Sequence, residues 1–358
     1  VQTIQVNLAS ASYPVYLGTG LLAEASLWQT HLGRGQVLVV SNERVAPLYL
    51  QALRAGLAGR EAAVHILPDG EQYKTMATWS GIIDQLVGMQ ARRDTTLIAL
   101  GGGVVGDISG FAAACYMRGI RFLQAPTTLL AQVDASVGGK TGINHAQGKN
   151  LIGAFHQPAA VVIDTGTLAT LAEREINAGL AEVVKYGAIM DAGLFAWLES
   201  SATAIREREA PALLHLVHQS VANKAAIVAQ DEKEGGVRAL LNFGHSFGHA
   251  LETVTGYRRY LHGEAVAIGM VVASRLSEQR GLCPGGTAAR LCGLMRQFDL
   301  PLALPQSVTS EAMTAAMELD KKGLASGQRL ILLEEIGRAV IDDSSSHGHI
   351  VAAIESCR

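Results

Sequence analysis

Short apolar strands, each closed by a polar turn and followed by a helical stretch, leave this chain few folds to adopt. Residues 37–40 form one such strand, ending in Ser41-Asn42-Glu43 before a helical run over 46–58. Residues 63–67 form another, ending in Pro68-Asp69-Gly70-Glu71-Gln72-Tyr73-Lys74 before a helix over 76–89. A third, 95–100, ends in Gly101-Gly102-Gly103-Val104-Val105-Gly106-Asp107, and 108–115 continues as a helix of small residues. Strands alternating with helices predict a parallel sheet covered on both faces. Such sheets bind ligands beyond the carboxyl ends of their strands, where Asn42, Asp69 to Lys74 and Gly101 to Asp107 fall.

Residues 3–8 and 13–17 read as two strands around a polar turn, and 121–124 and 160–164 as further short strands. Between the last two lies a polar segment, 134–144 and then Gly148-Lys149-Asn150, whose glycines, hydroxyls and lysines suit a long functional loop. From Leu168 strand signals fade and helical patterns run to Ser274, with a looser stretch at 281–286. At 358 residues the chain exceeds what one core usually serves. The expectation is therefore an α/β domain over 1–171 and a mainly helical domain over 172–358. Ser344 to Ser346, with His347 and His349, read as a late surface loop.

Aromatic residues are 5% of the chain against 49% hydrophobic, so the core must be aliphatic. Glycine, at 39 residues, exceeds its usual share of about 7%, which implies tight turns or close backbone approaches. A net charge of −3, with signs mixed, argues against nucleic acid and acidic membrane surfaces as partners. The four cysteines form no C-x2-C pair, so neither a disulfide framework nor a thiolate zinc site is expected. The start lacks a basic, then apolar, leader, and no apolar run approaches about 18 residues. These features set the expectation of a reduced, cytoplasmic protein without a membrane partner.

Gly101-x-Gly103-x-x-Gly106 follows a strand and enters a helix, the setting of a pyrophosphate-binding turn. The dinucleotide fingerprint also places an acid about 20 residues on. No Asp or Glu occurs between Asp107 and Asp134, so that part fails. The turn fits a dinucleotide fold wired differently, with Asp69 or Glu71 available to the ribose.

His245 and His249 lie one helical turn apart on one face. The spacing suits zinc, although it also suits buried helix histidines with ordinary partners. His262 opens another apolar helical run, and Glu182 and Lys185 share a face of a third. Histidine, histidine and carboxylate with one open position make a catalytic zinc set; spacing alone does not say which two histidines serve. Lys140, Lys149, Lys185, Lys224, Arg238, Lys321 and Lys322 lie in or beside these stretches. So many cations predict an anionic substrate bearing phosphate and carboxylate. A dinucleotide, a Lewis acid and these cations together point to hydride chemistry on a hydroxyl of a polyanionic small molecule.

Taken in order, several stretches resemble the 3-dehydroquinate synthases. They are Asp69-Gly70-Glu71-Gln72-Tyr73-Lys74, residues 101–107 and 126–141, Gly148-Lys149-Asn150, residues 175–185, 242–252 and 261–270, and Asp320-Lys321-Lys322. They cover nearly the whole chain. The resemblance implies an amino-terminal Rossmann-like NAD-binding domain and a carboxyl-terminal helical metal domain, with the active site in the cleft between. It places zinc, or cobalt in its stead, on Glu182, His245 and His262, and leaves His249 to the substrate. NAD contacts fall on Asn42, on Asp69, Gly70, Glu71, Gln72, Tyr73 and Lys74, and on Gly103, Val104, Val105, Gly106 and Asp107. Thr127, Thr128, Lys140, Lys149, Thr167, Leu168, Ala169 and Thr170 complete them. Substrate contacts fall on Asp134, Lys140, Asn150, Lys185, Lys224, Arg238, Asn242 and His249, with one lysine of the Lys321-Lys322 pair. Arg118 is implied to reach across a homodimer interface toward the substrate phosphate.

The activity so implied turns a phosphorylated sugar acid, 3-deoxy-D-arabino-heptulosonate 7-phosphate, into 3-dehydroquinate and phosphate, in the shikimate pathway to aromatic amino acids. Transient oxidation by NAD, β-elimination of phosphate, re-reduction and an intramolecular aldol closure are its steps, with no net redox. Three other readings share some motifs. A metal-dependent alcohol or glycerol dehydrogenase would need neither so many cations nor the 133–141 segment. Another sugar-phosphate cyclase, giving an inosose or valiolone, would differ only at substrate-facing residues. A non-catalytic NAD-binding regulator would not need the full metal and cation set.

Overall fold

The computed structural model describes residues 1–9, 11–321 and 329–358, with the side chains of 319–321 outside that description. The chain divides into two units, Val1–Leu171 with Leu213–Lys233, and Ala172–Ala212 with Glu234–Arg358.

In the first unit, β1 (Gln2–Val6) and β2 (Tyr13–Gly18) form an antiparallel pair. There follow α1 (Ala25–His31), β3 (Val37–Asn42), α2 (Ala46–Gly56), β4 (Ala63–Leu67), α3 (Met76–Gly88), β5 (Thr96–Gly101) and α4 (Gly103–Cys115). Then come β6 (Arg121–Pro126), a π-helical turn over Ala131–Ala135, β7 (Lys140–His145), β8 (Gly148–Phe155) and β9 (Ala160–Asp164). Seven strands make one sheet in the order β1-β2-β9-β6-β5-β3-β4, and every neighbouring pair from β2 onward is parallel. Side chains alternate between faces along a strand. Leu38, Val40, Leu97 and Ala99 accordingly join one apolar cluster, while Val37, Val39, Ile98 and Leu100 join another. Helices covering both faces explain why β3, β5 and β9 are buried throughout. From β3 the chain moves outward to β4 and then returns to β5 on the other side. Asn42 and Gly101 thus end the two strands that flank the point where the order reverses, the usual ligand position in such sheets.

The predicted loop over 134–150 is instead the antiparallel hairpin β7–β8. Its glycines serve close strand pairing: a Cβ on Gly142 would stand 2.7 Å from the Ile152 carbonyl oxygen, and one on Gly153 would collide with that of Thr141. Ile143 is buried in the cluster that includes α4.

The second unit contains α5 (Glu173–Met190), α6 (Ala192–Arg206), α8 (His245–Val254), α9 (His262–Gln279), α10 (Thr287–Gln297), α11 (Ser310–Lys321), β10 (Leu330–Glu335), β11 (Arg338–Asp342) and α12 (His347–Glu355). Between α6 and α8 runs α7 (Ala210–Gln230), whose residues from Leu213 belong to the first unit. The single span 172–358 expected for a second domain therefore differs at Leu213–Lys233, a segment bound to the first unit through Lys224 on Asp134 and Glu232 on Gln157. Apolar nearly all round, α9 is buried and packs against α5, α8, α10, α12 and β10. The mainly helical unit also holds the hairpin β10–β11, and one expectation is corrected in it. His347 and His349 belong not to a loop but to the first turn of α12, where the Ser346 hydroxyl accepts from the His349 amide at 3.3 Å.

No helix among the described residues is long and apolar enough to cross a membrane. All four cysteines are free thiols.

Candidate functional site

The nucleotide-type features of the first unit gather at the carboxyl edge of its sheet. The strand β5 ends at Gly101, Gly102 caps α4 without a side-chain bond, and Gly103 opens the helix. First-turn amides left without a capping side chain attract anions. A Cβ on Gly102 would lie 3.0 Å from the Thr128 methyl carbon, and one on Gly106 3.0 Å from the Gln124 side-chain oxygen, so a side chain at either would press on its neighbour. The Val105 side chain packs against Gly101 within the core and leaves only its backbone to a ligand. Leu168 is likewise buried.

Asn42, at the end of β3, donates through Nδ2 to Asp69 Oδ1 at 2.7 Å and accepts from the Val45 amide at 2.8 Å. Gly70 adopts φ 122°, ψ 154°, a conformation open to glycine alone. Beyond it, Glu71 Oε1 accepts from Asn144 Nδ2 at 2.8 Å. The Lys74 ammonium is buried and reaches Asp107 Oδ2 and Asn150 Oδ1, each at 2.5 Å. Burial opposes its charge, but the Asp107 and Glu71 carboxylates outweigh that and hold the Lys74 pKa above the ordinary lysine value. Asn150 itself sits at φ 55°. Thr127 follows β6, and its buried hydroxyl has no hydrogen-bond partner among the described residues, whereas Thr128 Oγ1 accepts from the Ala131 amide at 3.2 Å. Thr167, Leu168, Ala169 and Thr170 lie on a 3₁₀ turn after β9, held by the Tyr49 hydroxyl at 2.9 Å from the Thr167 carbonyl. These features, an uncapped helix start, a glycine cradle and an orphaned hydroxyl, fit a dinucleotide.

The Lys224 ammonium meets Asp134 twice, at 2.9 Å from Oδ1 and 2.7 Å from the carbonyl oxygen. Lys140 opens β7 and is exposed; Lys149 is half-buried. Gln72 and Tyr73 lie on the turn beside Glu71, with Tyr73 40% exposed. Arg118 is exposed at φ 66°. Gln72 Nε2 donates to the Asp69 carbonyl oxygen at 3.3 Å.

The second unit brings three helices onto one cluster. Glu182 on α5 is 1% exposed; His245 and His249 lie on the first turns of α8, and His262 opens α9. Glycines permit the convergence. A Cβ on Gly263 would collide with the Ala178 carbonyl oxygen of α5, and one on Gly269 with that of Gly244. A Cβ on Gly248 of α8 would stand 3.1 Å from the α9 backbone at Ala265 and Val266. The α9 entry is set by Glu264, which accepts from the Leu261 amide at 2.8 Å and pairs with Arg174 at 2.6 Å.

Glu182 Oε1 lies 3.6 Å from His245 Nε2 and 3.9 Å from His262 Nε2. One ligand atom from each of the three residues falls within 4.8 Å of the others. Two ligands about 2.1 Å from a tetrahedral zinc stand roughly 3.4 Å apart, so the spacing suits one ion. Among the described residues Oε1 has no hydrogen-bond donor, whereas Oε2 meets the Lys185 ammonium one turn on. A buried carboxylate oxygen without a donor is costly, and a cation would satisfy it. Burial above all, then the Lys185 ammonium and the rings of His262 and His249, hold the His245 pKa well below the ordinary histidine value. The ring is therefore neutral near neutral pH. Its Nδ1 lies 3.2 Å from the Phe243 carbonyl, which leaves the Nε2 lone pair toward Glu182.

His249 completes the ring cluster, 5.5 Å from His245 and 5.8 Å from His262 between centroids. Arg238 is buried on the 3₁₀ turn Val237–Asn242, and Asn242 donates to Glu234 Oε1 at 2.9 Å. Lys322 lies outside the described residues; of Lys321 only the backbone, ending α11, is described.

Residue types and spacing did not single out Glu252, whose Oε2 lies 3.4 Å from His262 Nδ1. Its signal was present, since Glu252 follows His249 by three and His245 by seven, all on one helical face. Asn144, Glu234 and the Arg174–Glu264 pair were also missed, and their partners are too distant in sequence for spacing to pair them, except Glu234 with Asn242.

The 3-dehydroquinate synthase N-terminal family matches residues 64–178, and the 3-dehydroquinate synthase C-terminal family residues 179–323. The 3-dehydroquinate synthase of Nitrosococcus oceani is 50% identical over 99% of this chain and 98% of its own length. That of Azotobacter vinelandii is 51% identical over 99% and 97%. Among solved structures, 2-epi-5-epi-valiolone synthase from Streptomyces hygroscopicus subsp. jinggangensis, with NAD⁺ and Zn²⁺ bound, superposes with TM-score 0.90 at 33% identity over 98% of each chain. A protein described as a probable glycerol dehydrogenase from Sinorhizobium meliloti 1021 reaches TM-score 0.64 at 16% identity, over 96% of this chain and 95% of its own, which is likeness of fold alone. On matches that span both units, this chain belongs to the 3-dehydroquinate synthase family.

Proposed function

We propose that this chain converts 3-deoxy-D-arabino-heptulosonate 7-phosphate into 3-dehydroquinate and phosphate, with NAD and a divalent cation, zinc or cobalt, as cofactors. The observation that carries the reading is the convergence of the buried Glu182 carboxylate with His245 and His262, and of the Lys185 ammonium against it, in a chain half identical to known 3-dehydroquinate synthases along its length. When bound, NAD supplies a reversible oxidation, and the cation polarises the oxygen concerned.

Glu182, His245 and His262 hold the cation, two of them as neutral imidazoles through Nε2. Lys185 and, in the first unit, Asp134 orient the substrate's C4 hydroxyl; Lys224, paired with Asp134, takes the carboxylate with Arg238. The phosphate falls to His249, Asn242, Lys140 and a lysine of the Lys321-Lys322 pair, with Asn150 as a further contact. Lys74 and Asp107, Asn42 with Asp69, and Thr127 bind the nucleotide. Holding one substrate in place through successive steps is worth more here than a separate acid or base for each, and the departing phosphate serves as the base. A cytoplasmic homodimer, with the exposed Arg118 presented to the second copy, belongs to the same proposal.

Substrate choice tests the reading. With NAD and zinc, the heptulosonate phosphate is turned over and neither a hexose 6-phosphate nor glycerol is. Turnover of the hexose phosphate would favour another cyclase, and of glycerol with NADH build-up a dehydrogenase.

A further inference from the structure

We infer that Glu252 is a positioning residue, holding His262 in the tautomer and orientation that a cation ligand requires. The inference rests on the reading that Glu182, His245 and His262 hold the metal. The His262 ring lies between two buried carboxylates. Its Nε2 faces Glu182 Oε1 at 3.9 Å, and its Nδ1 lies 3.4 Å from Glu252 Oε2, with both carboxylate side chains no more than 3% exposed. A neutral imidazole carries one N–H and one lone pair. With Nδ1–H donated to Glu252, the lone pair is on Nε2 and aims at the Glu182 side. His245 repeats the arrangement with a different acceptor: its Nδ1 lies 3.2 Å from the Phe243 carbonyl and its Nε2 3.6 Å from the same Glu182 oxygen.

Glu252 has a second role open to it, since His249, Glu252 and His262 also bring ligand atoms within 4.8 Å of one another. The matching outward Nδ1 and inward Nε2 of His262 and His245 favour the orienting role. Two ligands on a common ion would turn lone pairs toward it, not share a hydrogen bond. The acceptors also differ in kind. A carboxylate raises the basicity of the imidazole it holds, so His262 becomes the stronger donor of the two, and α8 supplies both one ligand and the group that tunes the other.

The test uses the purified full chain and zinc itself, by competition with a chelator, and the visible spectrum of the cobalt-loaded protein. E252A lowers zinc affinity about 10–100-fold, keeps one ion per chain at saturation, and shifts the cobalt bands. E252Q, whose amide oxygen still accepts the N–H, recovers most of the affinity. Wild-type affinity in E252A would overturn the inference, and so would a loss as complete as that of H262A, which would make Glu252 a ligand. Equal loss in E252A and E252Q without a shift in the cobalt bands would also overturn it. Zinc retained in both E182A and H262A would instead refute the metal set on which it rests.

Discussion

At the scale of single residues, Glu182 divides its two oxygens, one to the Lys185 ammonium and one to the histidines. Replacing His262 by alanine removes one of only three ligands in that set. The expected outcome is loss of stoichiometric zinc together with turnover, read by metal analysis of the dialysed protein; zinc retained at one per chain would remove His262 from the set. Lys74 is the matching point in the first unit. Its ammonium is buried against Asp107, whose side chain is 23% exposed, and Asn150, and leaving such a carboxylate without its donor costs about 1–3 kcal/mol. K74M therefore lowers the melting temperature and weakens NAD binding, measured by calorimetry; unchanged NAD affinity would take Lys74 out of the nucleotide site. The i, i+4 spacing of His245 and His249 was legible because local geometry alone creates it. Their convergence with Glu182 and His262 was not, because it depends on three helices meeting in space, and the ligand choice among the histidines came from the resemblance.

Among the elements, α9 approaches α5 and α8 closely because glycine stands at 263 and 269 on it and at 248 opposite. Adding a methyl at Gly263 drives it into the Ala178 carbonyl. G263A is expected to cost at least about 1–3 kcal/mol and to lower zinc affinity by moving His262. Thermal melting and chelator competition read the two effects, and a variant as stable as the parent would show that the helices can separate freely. Glycine also explains what sequence patterns concealed. Gly142 and Gly153 look like loop residues, yet they pair across β7–β8, where side chains would keep the strands apart. The three parallel strands β3, β4 and β5 were legible as short apolar runs with polar ends; β3 and β5 are buried on both faces, whereas β4 is an edge strand with Ile66 45% exposed. The hairpin β10–β11 follows a long helical stretch and was not singled out. The Leu213–Lys233 part of α7 carries no mark in its own sequence of the unit it joins.

For the molecule as a whole, four histidines, His31, His65, His156 and His245, all titrate below the ordinary value, with burial the leading cause in each. The folded chain thus binds fewer protons than the unfolded chain once pH falls below about 6.5. The stability these neutral rings contribute is fully present above that pH and is lost progressively as pH falls through their folded values. The melting temperature of the metal-free protein should decline on the acid side of about pH 6.5; a flat profile there would contradict burial of the neutral rings. The central claim is that this chain uses its nucleotide without consuming it, on a substrate that loses phosphate. One time course of the purified chain with catalytic NAD, zinc and the heptulosonate phosphate, following inorganic phosphate and NADH absorbance together, tests it most directly. Phosphate rising far beyond the NAD supplied, with no accumulating NADH, is the predicted result; NADH rising in step with substrate consumed, or phosphate absent, would contradict it.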